Sequence, residues 1–205
     1  MRNNSGGYTL ILSAVMLSLA ACAPADGPAE GSEIEMHADY PTYETREALA
    51  EAATLIVEGE VLATENTILM PRFEGDTPEE NPLLGASEEE KAEAIASDNG
   101  VPATAITFRV DTVHKGDVEA GATITFIQTG GVVNGVTYRV AGLTILARHS
   151  SYLLFAKDSF DGQYAILGGS AGIYEPLGDG RFASANRAMA PAAELTRAEV
   201  EELAD

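Results

Sequence analysis

Few residues in this 205-residue chain could do chemistry, and their spacing limits what that chemistry could be. There is one thiol, Cys22, and there are three imidazoles, His37, His114 and His149. A zinc centre needs three or four ligands converging on one ion. Neither a His-x-His nor a His-x-x-x-His pair occurs, so no metal site is expected. Arg148-His149-Ser150-Ser151 with a distant Asp could be drawn as a Ser-His-Asp arrangement. No Gly-x-Ser-x-Gly turn frames Ser150 or Ser151 to present such a serine, and these residues read better as a turn entering a strand. Asp158-Ser159-Phe160-Asp161-Gly162 falls short of a calcium loop in ligand number and lacks the terminal Glu. Gly168-Gly169-Ser170-Ala171-Gly172 could cradle a phosphate only by opening a helix, whereas the following Ile173-Tyr174-Glu175-Pro176 is strand-like. Tyr138, Tyr152, Tyr164 and Tyr174 could stack a sugar or a base, but at strand positions they read as core or rim side chains. The expectation is therefore no catalytic residue, no cofactor and no metal.

The position of Cys22 is more informative than its reactivity. Arg2 and the amino terminus are positive, Tyr8 to Leu19 is an apolar run, and small residues follow, which is the order of elements in a secretory signal. At about a dozen residues the run is shorter than the roughly 20 that a bilayer-spanning helix needs, so cleavage is expected rather than a permanent span. Leu19-Ala20-Ala21-Cys22 resembles the lipobox of bacterial lipoproteins. The resemblance implies a diacylglyceryl group on the Cys22 sulfur, cleavage just before it, and a mature chain held by palmitate-type acyl chains on the extracytoplasmic side of the cell membrane. Each buried methylene contributes about 0.8 kcal/mol, and two or three chains together anchor durably where one does not. A lipidated Cys22 leaves no thiol for a disulfide, so an exported domain must rest on its hydrophobic core.

The net charge of −20 is unevenly spread. Residues 26–60 carry ten acids against Arg46, and residues 65–100 carry ten against Arg72 and Lys91. Between 101 and 183, seven acids stand against six bases. Acid therefore sits in the flanks and in one insertion, where it keeps a domain solvated. Phosphate binding needs a basic stripe, so nucleic acid is excluded as a partner.

The elements that would position any site are mostly strands. Residues 1–21 read as the signal and 22–41 as a flexible stalk of Ala, Pro, Gly, Asp and Glu. Tyr43 to Ala53 has helix formers, with Thr42 or Thr45 as N-cap. A β-branched run follows from Thr54 to Thr64, with Gly59 inside it as a bulge or bend. Residues 65–100 form an acidic insertion with Pro71, Pro78 and Pro82, carrying a helix that opens on a Ser87/Glu90 capping box. Ile106, Phe108 and Val110 alternate with Thr107, Arg109 and Asp111, giving one buried and one wet face. Asn134-Gly135 predicts a hairpin over 131–140 with a type I′ turn. Ser151 to Lys157 is apolar on both faces and so central in a sheet. Asp161-Gly162 and Asp179-Gly180 mark turns, and Thr196 with Glu199 caps a short terminal helix within a tail over 191–205. Seven or so short strands predict a mainly β domain over 42–190, a barrel or a sandwich.

Ala53-Thr54-Leu55-Ile56-Val57-Glu58-Gly59-Glu60-Val61, then Phe108-Arg109-Val110-Asp111-Thr112-Val113-His114-Lys115-Gly116, then Ser151-Tyr152-Leu153-Leu154-Phe155 are similar to the netrin-module group, which includes the tissue inhibitors of metalloproteinases. The resemblance implies a small antiparallel OB-like β-barrel, to which the residues add a short N-terminal helix, an acidic helical insertion and a short C-terminal helix. It does not carry inhibitor function, because those inhibitors use disulfide-bonded cysteines and a metal-chelating amino-terminal one. The functional expectation is a non-enzymatic, lipid-anchored binding module of the cell envelope, with the membrane as its anchor and an envelope protein or glycan as its partner. The alternatives are a loop-mediated inhibitor of a secreted protease and a serine hydrolase using His149 with Ser150 or Ser151.

Overall fold

The computed structural model describes residues 31–70, 76–77, 81–97 and 100–204. Cys22 and the signal segment lie outside the described residues, as do parts of the insertion. The chain is mainly β. In order, the elements are β1 (Glu33–Met36), α1 (Arg46–Ala52), β2 (Leu55–Leu69), α2 (Glu88–Ser97), β3 (Val101–Lys115), β4 (Thr123–Thr129), β5 (Gly131–Val133) and β6 (Val136–Val140). They continue with β7 (Ser151–Asp158), a 3-10 turn (Phe160–Gly162), β8 (Tyr164–Ile166), β9 (Ile173–Pro176), β10 (Arg181–Ser184), β11 (Glu194–Thr196) and α3 (Arg197–Ala204).

Eight strands form one sheet in the order β11-β10-β9-β7-β2-β3-β4-β8, and β8 also pairs with β7. The return is uneven. β4 and β8 meet in parallel only at Phe126/Tyr164 and Ile127/Ala165, whereas β2 and β3 run antiparallel from Ile56/Lys115 to Leu69/Val101. A second, three-stranded sheet, β1-β6-β5, is built on the Asn134-Gly135 hairpin. Asn134 (φ 51°) and Gly135 (φ 78°) adopt the positive backbone angles that a type I′ turn demands.

Strands β2 and β7 are apolar on both faces because they separate two cores. Leu55, Val57, Val61, Leu154 and Ala156 join Ile106, Phe108, Val110 and Phe126 on one side. There the Phe108 and Phe126 rings meet edge to face, with centroids 5.3 Å apart. Ile56, Leu153 and Phe155 point the other way, against Leu49 and Ala50 of α1, Leu195 of β11 and Val200 of α3. Thr45 caps α1 by accepting from the Ala48 amide.

The bend in β2 falls at Gly59, where the register with β3 shifts between Glu58 and Gly59. A Cβ there would stand 2.0 Å from the Arg109 carbonyl oxygen and 2.5 Å from the Phe108 ring. Only a residue without a side chain lets the two strands approach so closely.

Three sequence boundaries move. The stalk over 22–41 is shortened from its C-terminal side, since Glu33–Met36 pairs in parallel with Thr137–Val140 as β1. The insertion begins later than residue 65, because residues 65–69 alternate as strand and pair with β3. The 191–205 tail belongs to the domain: Leu195 and Val200 are buried in the second core.

Gly59→Ala should cost about 3 kcal/mol or more, because backbone rather than a flexible side chain must give way. Urea unfolding of the two chains, with the slope unchanged, is the measurement.

Candidate functional site

The outward face of β3, β4 and β8 carries a row of small and apolar side chains where a solvated sheet normally places polar ones. In register across the three strands stand Ala105, Ile127 and Ala165. Along β3 the same face continues with Thr107, Arg109 and Asp111, and along β4 with Thr125 and Thr123, so the apolar row is a local departure. The two alanines leave a hollow on either side of Ile127. Walls are added by Leu69 and Met70 at the end of β2, Ile95 of α2, Phe160 of the 3-10 turn, and Tyr40 with Leu143 at the far end. The resulting pocket encloses about 550 Å³. That volume is within the ~300–1,000 Å³ of ordinary small-molecule sites.

The rim of this pocket is apolar as well. Ile68, Met70, Ile95 and Phe160, all at the pocket, are among the exposed large hydrophobic side chains, with Phe160 54% exposed. Its one conspicuous buried polar side chain, Gln128, is already satisfied. The Gln128 amide donates to the Thr144 carbonyl at 3.0 Å, and its oxygen accepts from the Leu146 amide at 3.0 Å. The glycine-rich stretch positions the far wall. Gly168 (φ 57°) and Gly169 (φ 64°) take left-handed angles, and a Cβ on Gly169 would stand 3.0 Å from the Tyr40 ring. This loop holds the segment that follows β1 and opens no helix. Ser170 reinforces it by accepting from the Thr144 amide at 2.7 Å.

Charged side chains gather elsewhere, along β2 and β3 beneath the start of α3. Arg197 embraces Glu58 with two nitrogens at 2.7 and 2.8 Å, and His114 Nε2 donates to the same carboxylate at 2.7 Å. The His114 side chain is only 4% exposed, so this cluster reads as a clamp between β2, β3 and α3. Glu199 completes the docking of α3. Its carboxylate accepts from the Thr196 amide and hydroxyl, both at 2.8 Å, and pairs with Arg46 at the start of α1. The Thr196 amide first and the Arg46 guanidinium next pull the Glu199 carboxyl down to about 2. In the second core, burial pushes the Tyr174 phenol up to about 12. Its hydroxyl has no partner of good hydrogen-bond geometry among the described residues, although the Ala192 backbone lies near enough to offset part of that burial.

Cys22 lies outside the described residues, and so does the lipobox. His37 is exposed, 3.9 Å from Glu35. His149 takes a left-handed backbone (φ 62°), and its Nδ1 lies 4.0 Å from Glu60. It makes no hydrogen bond to Ser150 or Ser151, while Arg148 donates to the Leu62 carbonyl at 3.1 Å. Asp161 and Gly162 form the tight turn beside the pocket, both at positive φ. Tyr152 accepts from the Ala147 amide at 3.0 Å, and the Tyr164 ring packs 5.9 Å from that of Phe126. The four tyrosines therefore do not form a common stacking platform. No group of three His, Cys, Asp or Glu side chains placed to hold an ion occurs among the described residues.

Sequence reasoning missed the pocket. A signal was present: Ile127 interrupts the outward series Thr123, Thr125 and Thr129, and Ala103 and Ala105 precede Thr107, Arg109 and Asp111 on the same side of β3. A scan against protein-family models matches no family, and no curated protein matches the chain. What fold and site define is a mainly β chain with a predominantly apolar pocket on the outward face of β3, β4 and β8.

Because its carboxyl is lowered in the folded state, Glu199 contributes stability above about pH 4.5 that is lost as the pH falls toward 2. The unfolding temperature of Glu199→Gln should therefore fall less between pH 5 and 2 than that of the parent chain. Parallel curves would show that the α3 clamp carries no pH-dependent stability.

Proposed function

We propose that this protein is a non-enzymatic binding module, anchored through lipid on Cys22 at the extracytoplasmic face of a bacterial cell membrane. The lipobox and the signal segment before it support the anchor. We propose further that the ring β2-β3-β4-β8-β7 is a small OB-like barrel. Supporting this are the parallel pairing of β4 with β8 and the antiparallel pairing of β7 with both β2 and β8.

The observation that carries the binding reading is the 550 Å³ pocket on the outside of that ring. A row of Ala105, Ile127 and Ala165 facing outward gains nothing for the core. Leaving Ile68, Met70, Ile95 and Phe160 partly exposed around one hollow forgoes a share of the burial energy, about 1.5–3 kcal/mol for each side chain when fully buried. Exposed apolar surface gathered around a concavity marks a binding site rather than a random surface. The anchor then fixes where binding takes place.

The test uses Nile red, an uncharged apolar dye, with the full-length chain carrying Cys22→Ser so that no acyl chain is attached. Saturable binding at one site is expected, and Ala105→Phe, which fills the floor, should weaken it roughly tenfold without lowering the unfolding temperature. Binding that does not saturate, or that Ala105→Phe leaves unchanged, would overturn the assignment. In the cell, incorporation of labelled palmitate that persists after Cys22→Ser would refute the anchor.

A further inference from the structure

We infer that the pocket takes a single uncharged aliphatic chain, of the kind carried by a long-chain alcohol or another neutral single-chain amphiphile. The inference rests on the binding role proposed for this pocket and adds the chemistry of its occupant. The floor of Ala105, Ile127 and Ala165 and the Met70 and Phe160 rim offer carbon and one thioether, surfaces that reward methylenes and adapt to their conformation.

Four other ligand classes fail on the same geometry. A fatty-acid carboxylate, a phosphate or a sulfate needs a cation, yet among the described residues no Lys, Arg or His lines the pocket, and the ionisable side chains that do are Tyr40 and Asp161. A glycan or nucleobase is held mainly by converging hydrogen bonds, whereas this lining is predominantly apolar: Thr67, Thr129, Ser159, Asp161 and Gln163 are a minority of it, and Gln128 spends both ends of its amide on Thr144 and Leu146. An extended peptide would add to a free strand edge. At Ile127 the floor strand β4 has none, being hydrogen-bonded to β3 on one side and, over Phe126 and Ile127, to β8 on the other. A membrane-spanning or amphipathic helix needs a groove several turns long. This pocket is instead a hollow of about 550 Å³, with Tyr40, packed on Gly169, and Phe160 among its walls. A narrow chain remains, with its hydroxyl left outside the carbon-lined part, where Ser159 and Gln163 stand among the lining residues.

The experiment is photolabelling of the full chain in phosphatidylcholine nanodiscs with a hexadecanol that carries a diazirine near its methyl end. Peptide mapping should place the label on residues of the pocket. Excess hexadecanol should compete, and hexadecanoate at pH 9, where it is ionised, should not. Ala105→Phe and, independently, Ala165→Phe should cut pocket labelling roughly tenfold. Thr123→Phe, on the same face but away from the pocket, should leave it unchanged. Two filling variants on different strands, each checked by thermal unfolding, guard against misfolding of either one. Competition by hexadecanoate equal to that by hexadecanol would overturn the uncharged assignment. Pocket labelling from a diazirine on the phosphatidylcholine acyl chain, with none from hexadecanol, would overturn the single-chain one. Nile red binding that is sensitive to Ala105→Phe, together with no pocket labelling by hexadecanol, would refute this occupant and leave the binding role standing.

Discussion

The close approach of β2 to β3 at Gly59 is the constraint on which the other elements depend. With nothing on its Cα, Gly59 lets the Phe108 ring and the Arg109 carbonyl come to distances that a side chain would forbid. The register shift there lets a fifteen-residue strand change course while it remains paired with β3 along its length and with β7 from Leu55 to Glu60. A strand held on both edges and bent in the middle can present Leu55 and Val57 to one core and Ile56 to another. The helices α1 and α3 then have a sheet face to pack on, and the end of β2 is carried out to the pocket as Thr67, Ile68 and Leu69.

Core and pocket draw on the same strands with opposite faces. On β4, Phe126 points inward to the Phe108 ring, and its neighbour Ile127 points outward to form the floor. On β8, Tyr164 packs inward on Phe126, while Ala165 faces out. The pocket floor is thus as rigid as the core behind it, because a shift of Ile127 requires a shift of Phe126. The rim is assembled differently, from the end of β2, the α2 helix and the Phe160 turn, which come from separate parts of the chain. A floor backed by the core, with an independently assembled rim, suits an occupant whose buried part is an apolar chain recognised by shape more than by hydrogen bonds.

Much of the local structure was legible because it is written in short-range chemistry. The Thr45 N-cap, the Ser87/Glu90 and Thr196/Glu199 capping boxes, the Asn134-Gly135 turn and the special role of Gly59 are each decided by residues that touch their near neighbours or the facing strand. The two-faced apolarity of β7 likewise announced a central strand. What stayed hidden depends on distant partners. Glu33–Met36 has the composition of a stalk and becomes a strand only because β6 offers it an edge. Val200 looks like one apolar residue in an acidic tail until Leu49 and Ala50 of α1 are placed against it. The pocket was hidden for the same reason. Ala105, Ile127 and Ala165 are unremarkable one by one, and only the register that aligns them makes a floor. Gly168-Gly169 showed in the sequence only as a stretch that opens no helix, and its actual task is to receive the Tyr40 ring.

The central claim is that the hollow over Ile127 is a site for an apolar ligand and not a surface irregularity. Methyl-resolved NMR of isoleucine- and methionine-labelled chain, titrated with hexadecanol, tests it residue by residue. The account predicts saturable shifts for Ile68, Met70, Ile95 and Ile127, with Ile56, Ile106 and Ile173 in the two cores unmoved. Shifts spread evenly over all isoleucines, or absent at Ile127, would contradict it.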